Sequence, residues 1–557
     1  MAMQKSVIVL GGGLAGLRAA SVLAVRGYKV TVLERAPMAG GCTSSWVDHR
    51  DPEKGMIRKG QMQMNFPFYV NLNNWVEGLN AYSGPLDGFY FHDQYGRRSH
   101  LSATPKSWLG RLLSKLPAPL SALQILWDFD GLPRWRDKLS AVKFHTLALL
   151  FGHKPVVPIN DDWNCYGLMK HVGMTHEAIE AFRRITYSIT NLSDADQAGP
   201  KFLRLPYLAY LRDKNVLGCR MMNDDCNVAL VDKVVKELRD YGVQFRLNCH
   251  AREIRVENHS VTSLLVEDFS SAFNSVCPHC GLLFPASGQN AFCPACGNIS
   301  NTPRGNPERG QYNTLEADYI ISALQPHQLF KLYERQENES LRQYPEFRAL
   351  AQCKGAQLTV SRVFLDAKVT DGYNLTGLDR DFFSFNGAMD LSHVMQKYSS
   401  SVFDLLSDDG EVLQAYPTET LKAVLRQDLQ KVFPTVAQAG VTKHLLAHIR
   451  PEVLYHRPVP RLDSRFLPKG PETSVNNMFV AGDWTDEFEL GKEAAVKSGI
   501  RAANAVLAAD ERHYEQEPIL QPSVAPLVRR IQNSFVARWI QRRYMKQYLK
   551  ELPPKRG

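Results

Sequence analysis

Four cysteines near the middle of the chain are spaced to hold a metal ion. Cys277-Pro-His-Cys280-Gly and Cys293-Pro-Ala-Cys296-Gly are two C-x-x-C knuckles with twelve residues between Cys280 and Cys293. Each knuckle turns a pair of thiolates toward one point, and four thiolates complete tetrahedral zinc with no open position. Such a site is structural rather than catalytic. Iron in a rubredoxin-like site is the alternative, because C-P-x-C-G is also its knuckle. A module this small cannot fold on apolar burial alone, so metal binding supplies its folding energy. The expectation is a zinc ribbon over 269–312 that decorates a connecting loop and offers a surface to a protein partner. Loss of its metal is then expected to leave the rest of the chain undisturbed.

A second chemistry sits at the N-terminus. Gly11, Gly13 and Gly16 have G-x-G-x-x-G spacing and follow the apolar run Val7 to Leu10. Glycines let the backbone turn tightly and approach a pyrophosphate, while the helix that follows offers N–H donors and a favourable dipole. That helix shows in Leu17, Ala20 and Leu23. After Gly27 a second strand, Lys29 to Leu33, delivers Glu34, an acid placed to hold ribose hydroxyls. Strand, glycines, helix, strand and acid in this order predict a dinucleotide-binding Rossmann unit. Further along, VALVDKVVKELRDYGVQFRL reads as helix then strand, and LEADYIISALQPHQLFKLY supplies a returning strand.

With these motifs in place, the sequence resembles the FAD-dependent amine oxidase and carotenoid desaturase superfamily, desaturases of the phytoene and zeta-carotene type included. The resemblance rests on the second glycine pair of Arg35-Ala-Pro-Met-Ala-Gly40-Gly41-Cys42 and on NNMFVAGDWTDEFELGKEAAVKSGIRAANAVL, residues 476–507. It implies FAD as cofactor, with Leu14, Ala15, Arg35, Gly40, Gly41, Cys42, Ala251, Gly482, Asp483, Glu493, Ala494 and Ala495 beside it in addition to Gly11, Gly13, Gly16 and Glu34. KLPAPLSALQILWDFDGLPRWRDKLSAVKF, residues 115–144, is similar to the membrane-facing entry region of carotenoid desaturases. The implied reaction is hydride transfer from an apolar isoprenoid to the flavin. An amine- or porphyrinogen-oxidase-like enzyme and a flavin-bearing scaffold that recruits partners through its ribbon are the alternatives. Arg58 and Met62 stand near positions where desaturases show Glu and His. No residue type or spacing marks a catalytic base.

The implied fold class is α/β (α+β), with a discontinuous FAD-binding domain (1–95, 215–268, 313–330 and 445–510), a substrate domain (96–214 and 331–444), the ribbon, and a tail over 511–557. With 557 residues, 44% of them hydrophobic, the chain can bury a large core. No apolar run reaches membrane-span length. Ten cysteines, four of them in the ribbon, argue against a disulfide framework and for a cytoplasmic setting. The net charge of +9 is concentrated at the end of the chain, where residues 525–557 carry nine basic side chains and one acid. A nucleic-acid binder would spread that charge. Within the tail, Val528, Ile531, Phe535, Trp539, Met545, Leu549 and Leu552 recur roughly every three or four residues amid Arg and Lys. An amphipathic basic helix on an anionic membrane surface is the expectation, hence a peripheral membrane protein.

Overall fold

A computed structural model describes the chain outside residues 1–3, 51–55, 59–63, 87, 94, 96, 103, 118–119, 152–164, 191–218, 270–273, 286–289, 302–310, 336–338, 354–356, 371–374, 379–381, 408–409, 451–469, 487–490 and 552–557. Met62 lies outside the described residues, as does the side chain of Arg58.

The predicted N-terminal strands, Ser6–Leu10 and Lys29–Leu33, sit at the centre of a five-stranded parallel sheet completed by Gln244–Arg246, Tyr319–Ser322 and Met478–Val480. Val7 pairs with Tyr319, and Ile320 pairs with Met478. Strands buried on both faces need continuous apolar runs, and VIVL, YII and MFV supply them. Each fully buried Val or Ile in these strands contributes roughly 1.5–3 kcal/mol. The helix Leu14–Val25 lies against the helix Gly491–Ala509, and a Cβ on Gly499 would strike the Ala15 carbonyl oxygen. That approach brings the N-terminal fingerprint and the 476–507 motif, nearly the whole chain apart, side by side at the carboxyl ends of the strands, where ligands of such sheets bind.

A three-stranded antiparallel sheet, Cys249–Glu257, Ser260–Asp268 and Gln311–Leu315, packs on this core. The cysteine module is spliced between its second and third strands. A seven-stranded sheet forms the other unit, in the order Val441–Ile449, Leu358–Leu365, Ser401–Ser407, Gly387–Asp390, Leu375–Leu378, Phe89–His92 and Arg98–Leu101. Phe89–His92 and part of Val441–Ile449 fall in segments assigned from the sequence to the FAD-binding domain. They join the second sheet because Phe91 beside Gly377 and Leu446 beside Ser361 extend its ladders at both ends. The helix Thr418–Val432 covers one face through Leu421, Leu425 and Leu429. Among the described residues no helix is long and apolar enough to cross a membrane.

Buried histidines of the second sheet, His92 and His444 among them, make its stability pH-dependent. Burial, helped by nearby Arg98, pushes His92 down to about 4. Burial does the same to His444, which hydrogen-bonds Ser361 Oγ at 2.7 Å. Both rings are neutral in the fold, whereas the unfolded chain protonates them below about 6.5. Protons thus favour the unfolded state, and stability should be full at neutral pH and fall as pH drops from about 6.5 through about 4. Each ring should account for up to about 3 kcal/mol of the loss, since each tenfold difference in proton affinity between the folded and unfolded chain is worth about 1.4 kcal/mol. Thermal unfolding followed between neutral pH and the acid end of that window measures it, and a midpoint that does not move would contradict the assignment.

Candidate functional site: a flavin crevice and a cysteine knot

The N-terminal glycines build a cradle with an open side. Gly13 caps the helix Leu14–Val25 with extended backbone and no side-chain hydrogen bond, which leaves first-turn N–H groups for a phosphate. A Cβ added at Gly13 would meet nothing nearer than Gly41 Cα at 3.8 Å. The second glycine pair lies directly on the first: Gly40 N donates to Gly12 O at 2.8 Å, with Gly40 at φ +121° and Gly41 at φ +58°. A side chain at Gly41 would press on Gly13 Cα at 3.0 Å, so the pair must be glycine for this contact. Leu14, Ala15 and Gly16 are buried in the first turn.

Glu34 closes the far side of the cradle. Its carboxylate accepts from Gly12 N and Ala36 N, both at 2.8 Å, which fixes the acid at the end of its strand. Cys249 N donates to Glu34 O at 2.9 Å, so the strand carrying Ala251 starts beside the acid. Arg35 is partly buried and reaches Gln328 Oε1 at 3.3 Å. Cys42 Sγ accepts from Gln325 Nε2 at 3.3 Å and packs against the core, as a small packed residue would.

The 476–507 motif meets this crevice from the other side. Gly482 N donates to Ser498 Oγ at 2.8 Å, and Asp483 opens the short turn that follows. Ala494 is fully buried and Ala495 partly so. Glu493 has its carboxylate engaged by protein: Oε1 accepts from Asn71 N and Nδ2 at 3.0 and 2.7 Å, and Oε2 from Leu72 N at 3.0 Å. The acid thereby caps the helix Val70–Trp75, whose N–H groups need it. Beside it, Lys492 is only 4% exposed, with its ammonium 5.6 Å from the Tyr82 ring centroid, and burial pushes its pKa down to about 8. The sequence reading missed Lys492, because a lysine in the first turn of a helix has no distinguishing spacing.

The four knuckle cysteines converge. All four Sγ atoms lie within 4.8 Å of one another, fully buried, with Cys277–Cys296 and Cys280–Cys293 each at 3.6 Å. A tetrahedron with metal–sulfur arms of about 2.3 Å has edges near 3.8 Å, so the donor set fits a four-thiolate ion. The two halves repeat one design: Gly281 N donates to Cys277 O and Gly297 N to Cys293 O, with each glycine at positive φ.

The location of the knot corrects the sequence reading. Cys277, Cys280, Leu282, Phe284, Cys293 and Cys296 belong to the main hydrophobic core, together with Trp46 and the first helix. Trp46 Nε1 donates to Cys280 O at 2.9 Å and His49 N to Gly281 O at 2.8 Å. On the other side, Arg450 N donates to Cys296 O at 2.8 Å and Asn298 Nδ2 to His448 O at 2.7 Å. The module is thus no ornament on a loop. The sequence showed the knuckles but carried no signal for their seat.

The two units are also joined by a buried ion triad. Arg362 donates to Asp225 Oδ1 at 2.8 Å and to both carboxylate oxygens of Asp404 at 2.6 and 2.9 Å, and all three residues are buried. Burial raises the Asp225 pKa, and the Arg362 charge opposes that rise.

These features define a dinucleotide-dependent oxidoreductase with FAD as its cofactor. By sequence and fold the chain is similar to flavin-containing amine oxidoreductases and to carotenoid desaturases. Residues 306–507 match the flavin-containing amine oxidoreductase family, and residues 9–69 match an NAD(P)-binding Rossmann-like domain. The chain is 22% identical over 523 residues to the 15-cis-phytoene desaturase of Solanum lycopersicum, covering 90% of this chain and 77% of that protein. A carotenoid phi-ring synthase of Streptomyces griseus is 54% identical over 155 residues, 28% of this chain and 25% of that protein. Cyclohexylamine oxidase from Brevibacterium oxydans shares the fold, with a TM-score of 0.58 at 16% identity over 91% of this chain and 99% of that one.

Proposed function

We propose that this FAD-dependent oxidoreductase desaturates an apolar isoprenoid of the carotenoid class while attached to an anionic membrane surface, with zinc as a structural ion in its cysteine knot. The reading places it in the cytoplasm as a peripheral membrane protein. FAD, when bound, supplies the hydride acceptor. The chain's own part is to hold the pyrophosphate at the Gly11–Gly16 turn, to hold the ribose through Glu34, and to keep water from the reacting carbon. The substrate class is supported by the relatives, phytoene desaturases and a phi-ring synthase.

The observation that carries the membrane reading is a set of outward apolar pairs at i,i+4 spacing. Trp108 (71% exposed) stands one turn from Leu112, Trp135 (62%) one turn from Leu139, and Phe535 (81%) one turn from Trp539 (51%). Their helices pack in series: Trp108–Leu113 on Leu123–Asp128, that helix on Trp135–Phe151, and the tail helix Phe535–Glu551 on the last. Cations sit over three of the indoles, Lys138 on Trp127, Arg136 on Trp135 and Arg543 on Trp539. Aromatic rings with basic neighbours are the residue types that anchor at a lipid interface.

The tail is not one continuous stripe. Val528 is fully buried against Phe68 and Leu149, whereas Phe535 and Trp539 face out, because the chain breaks at Ser534 and restarts with the Ser534 hydroxyl accepting from Ala537 N at 3.2 Å. Met545, Leu549 and Leu552 fall where no side chain is described. Holoenzyme mixed anaerobically with carotenoid precursors in anionic liposomes should lose its flavin colour. The double variant Phe535→Glu, Trp539→Glu should bind those liposomes at least about tenfold more weakly, the equivalent of about 1.4 kcal/mol, and added salt should weaken the intact protein too. Bleaching by a primary amine but by no carotenoid would overturn the substrate class, and liposome binding untouched by the double variant would overturn the surface.

A further inference from the structure

The knot touches both the segment that follows the second glycine pair and the last strand of the seven-stranded sheet. On the flavin side its partners lie a few residues beyond the second glycine pair: Trp46 and His49 hydrogen-bond the first knuckle, and Arg50 Nη1 donates to Pro278 O at 3.0 Å. The fit is close, since Gly281 holds φ +70° and a Cβ there would strike the Asp48 carboxylate. Asp48 in turn grips Arg50 through Nε and Nη2. On the other side Arg50 Nη2 donates to Leu446 O at 2.9 Å, so one guanidinium spans the knuckle and the last strand of the seven-stranded sheet. The second knuckle holds that same strand end through His448 and Arg450. It also reaches the ribose acid's neighbour, as Arg35 Nη2 donates to Pro294 O at 3.4 Å.

We infer that the metal-bound cysteine knot is an internal clamp that locks the loop after Gly40–Gly41 to the Val441–Ile449 strand, so that metal occupancy governs FAD retention. This rests on the zinc reading above and extends it. The 3.6 Å Sγ pairs Cys277–Cys296 and Cys280–Cys293 run across the two knuckles, so an ion bound by all four thiolates would tie the two halves together. Without it each half keeps its own turn, but the Trp46–Arg50 side and the His448–Arg450 side are no longer fixed to each other. The loop bearing Gly40 and Gly41 then loses its outer support, and those glycines form one wall of the phosphate cradle. A four-thiolate divalent site carries net negative charge, and the Arg50 and Arg35 guanidiniums that line it are the cations that offset this.

The test uses the full-length holoprotein. Metal is identified by elemental analysis, then released stepwise with an organomercurial while a chromogenic dye reads the freed ion and ultrafiltration followed by fluorescence reads the freed FAD. FAD release should track metal release, with apparent FAD affinity falling at least about tenfold. Readdition of zinc after thiol rescue should restore it. A second variant separates clamp from ion: Trp46→Phe combined with Arg50→Met leaves all four thiolates in place, so zinc should stay at one per chain while FAD affinity drops. Full metal loss with FAD affinity unchanged overturns the clamp and leaves the zinc reading standing. Purified protein with no metal at the four cysteines overturns both. FAD affinity unchanged in the double variant also overturns the clamp.

Discussion

Protein carrying Gly13→Val should purify colourless, retain its fold and retain its metal. Most glycine substitutions in a Rossmann turn confuse loss of cofactor with loss of structure, because the added side chain collides with protein. Gly13 is different: its Cβ direction is open, with Gly41 Cα the nearest atom at 3.8 Å. The volume that valine would fill is the volume into which a pyrophosphate must come to reach the amides of the first helical turn. The expected loss of FAD affinity is on the order of a hundredfold or more, roughly 2.7 kcal/mol. Thermal stability measured without FAD should stay close to that of wild-type apoprotein. Gly41→Val, by contrast, should damage the fold itself, since its side chain would press on Gly13 from a backbone at positive φ. Yellow Gly13→Val protein with one FAD per chain would remove the cradle from the phosphate site.

The largest stability effect is expected at Arg362→Leu. Arg362 lies on a strand of the second sheet, Asp404 on the neighbouring strand, and Asp225 in the segment leading into the flavin unit, so one buried cation holds two buried carboxylates from different parts of the chain. Removing it leaves two carboxylates facing each other out of water, a change that costs about 3–5 kcal/mol. The pH dependence identifies the cause. Burial already raises the Asp225 pKa, and without the guanidinium it rises further. An acid with a raised folded pKa favours folding at low pH, because the folded state then binds more protons, and it opposes folding as pH climbs above the ordinary carboxylate value. The deficit of Arg362→Leu should therefore be greatest near pH 7 and shrink toward pH 5. A deficit independent of pH would assign the loss to packing alone, and one below about 1 kcal/mol would mean that the triad does not join the two units.

The sequence by itself determined the local machinery. Gly11, Gly13 and Gly16 after an apolar strand dictate a tight turn into a helix, because strand, turn and helix are encoded within thirty residues and depend on little beyond them. The same is true of each knuckle, where C-P-x-C-G closes on itself through a single turn ending at a positive-φ glycine. What only the tertiary structure decided are relations between segments with no shared period. Arg362 finds Asp225 across 137 residues, a pairing that no spacing announces. Glu493 lies in a motif whose resemblance pointed to the cofactor, yet its carboxylate caps a helix 422 residues away. The tail read as a single stripe, and the break at Ser534 sends Val528 inward and Trp539 outward, because a one-residue interruption rotates every later side chain about the helix axis. The knot is the plainest case: its metal chemistry is written in four residue types at two fixed intervals, while its seat between Trp46 and His448 depends on shape and hydrogen bonds that form only when distant strands have already met.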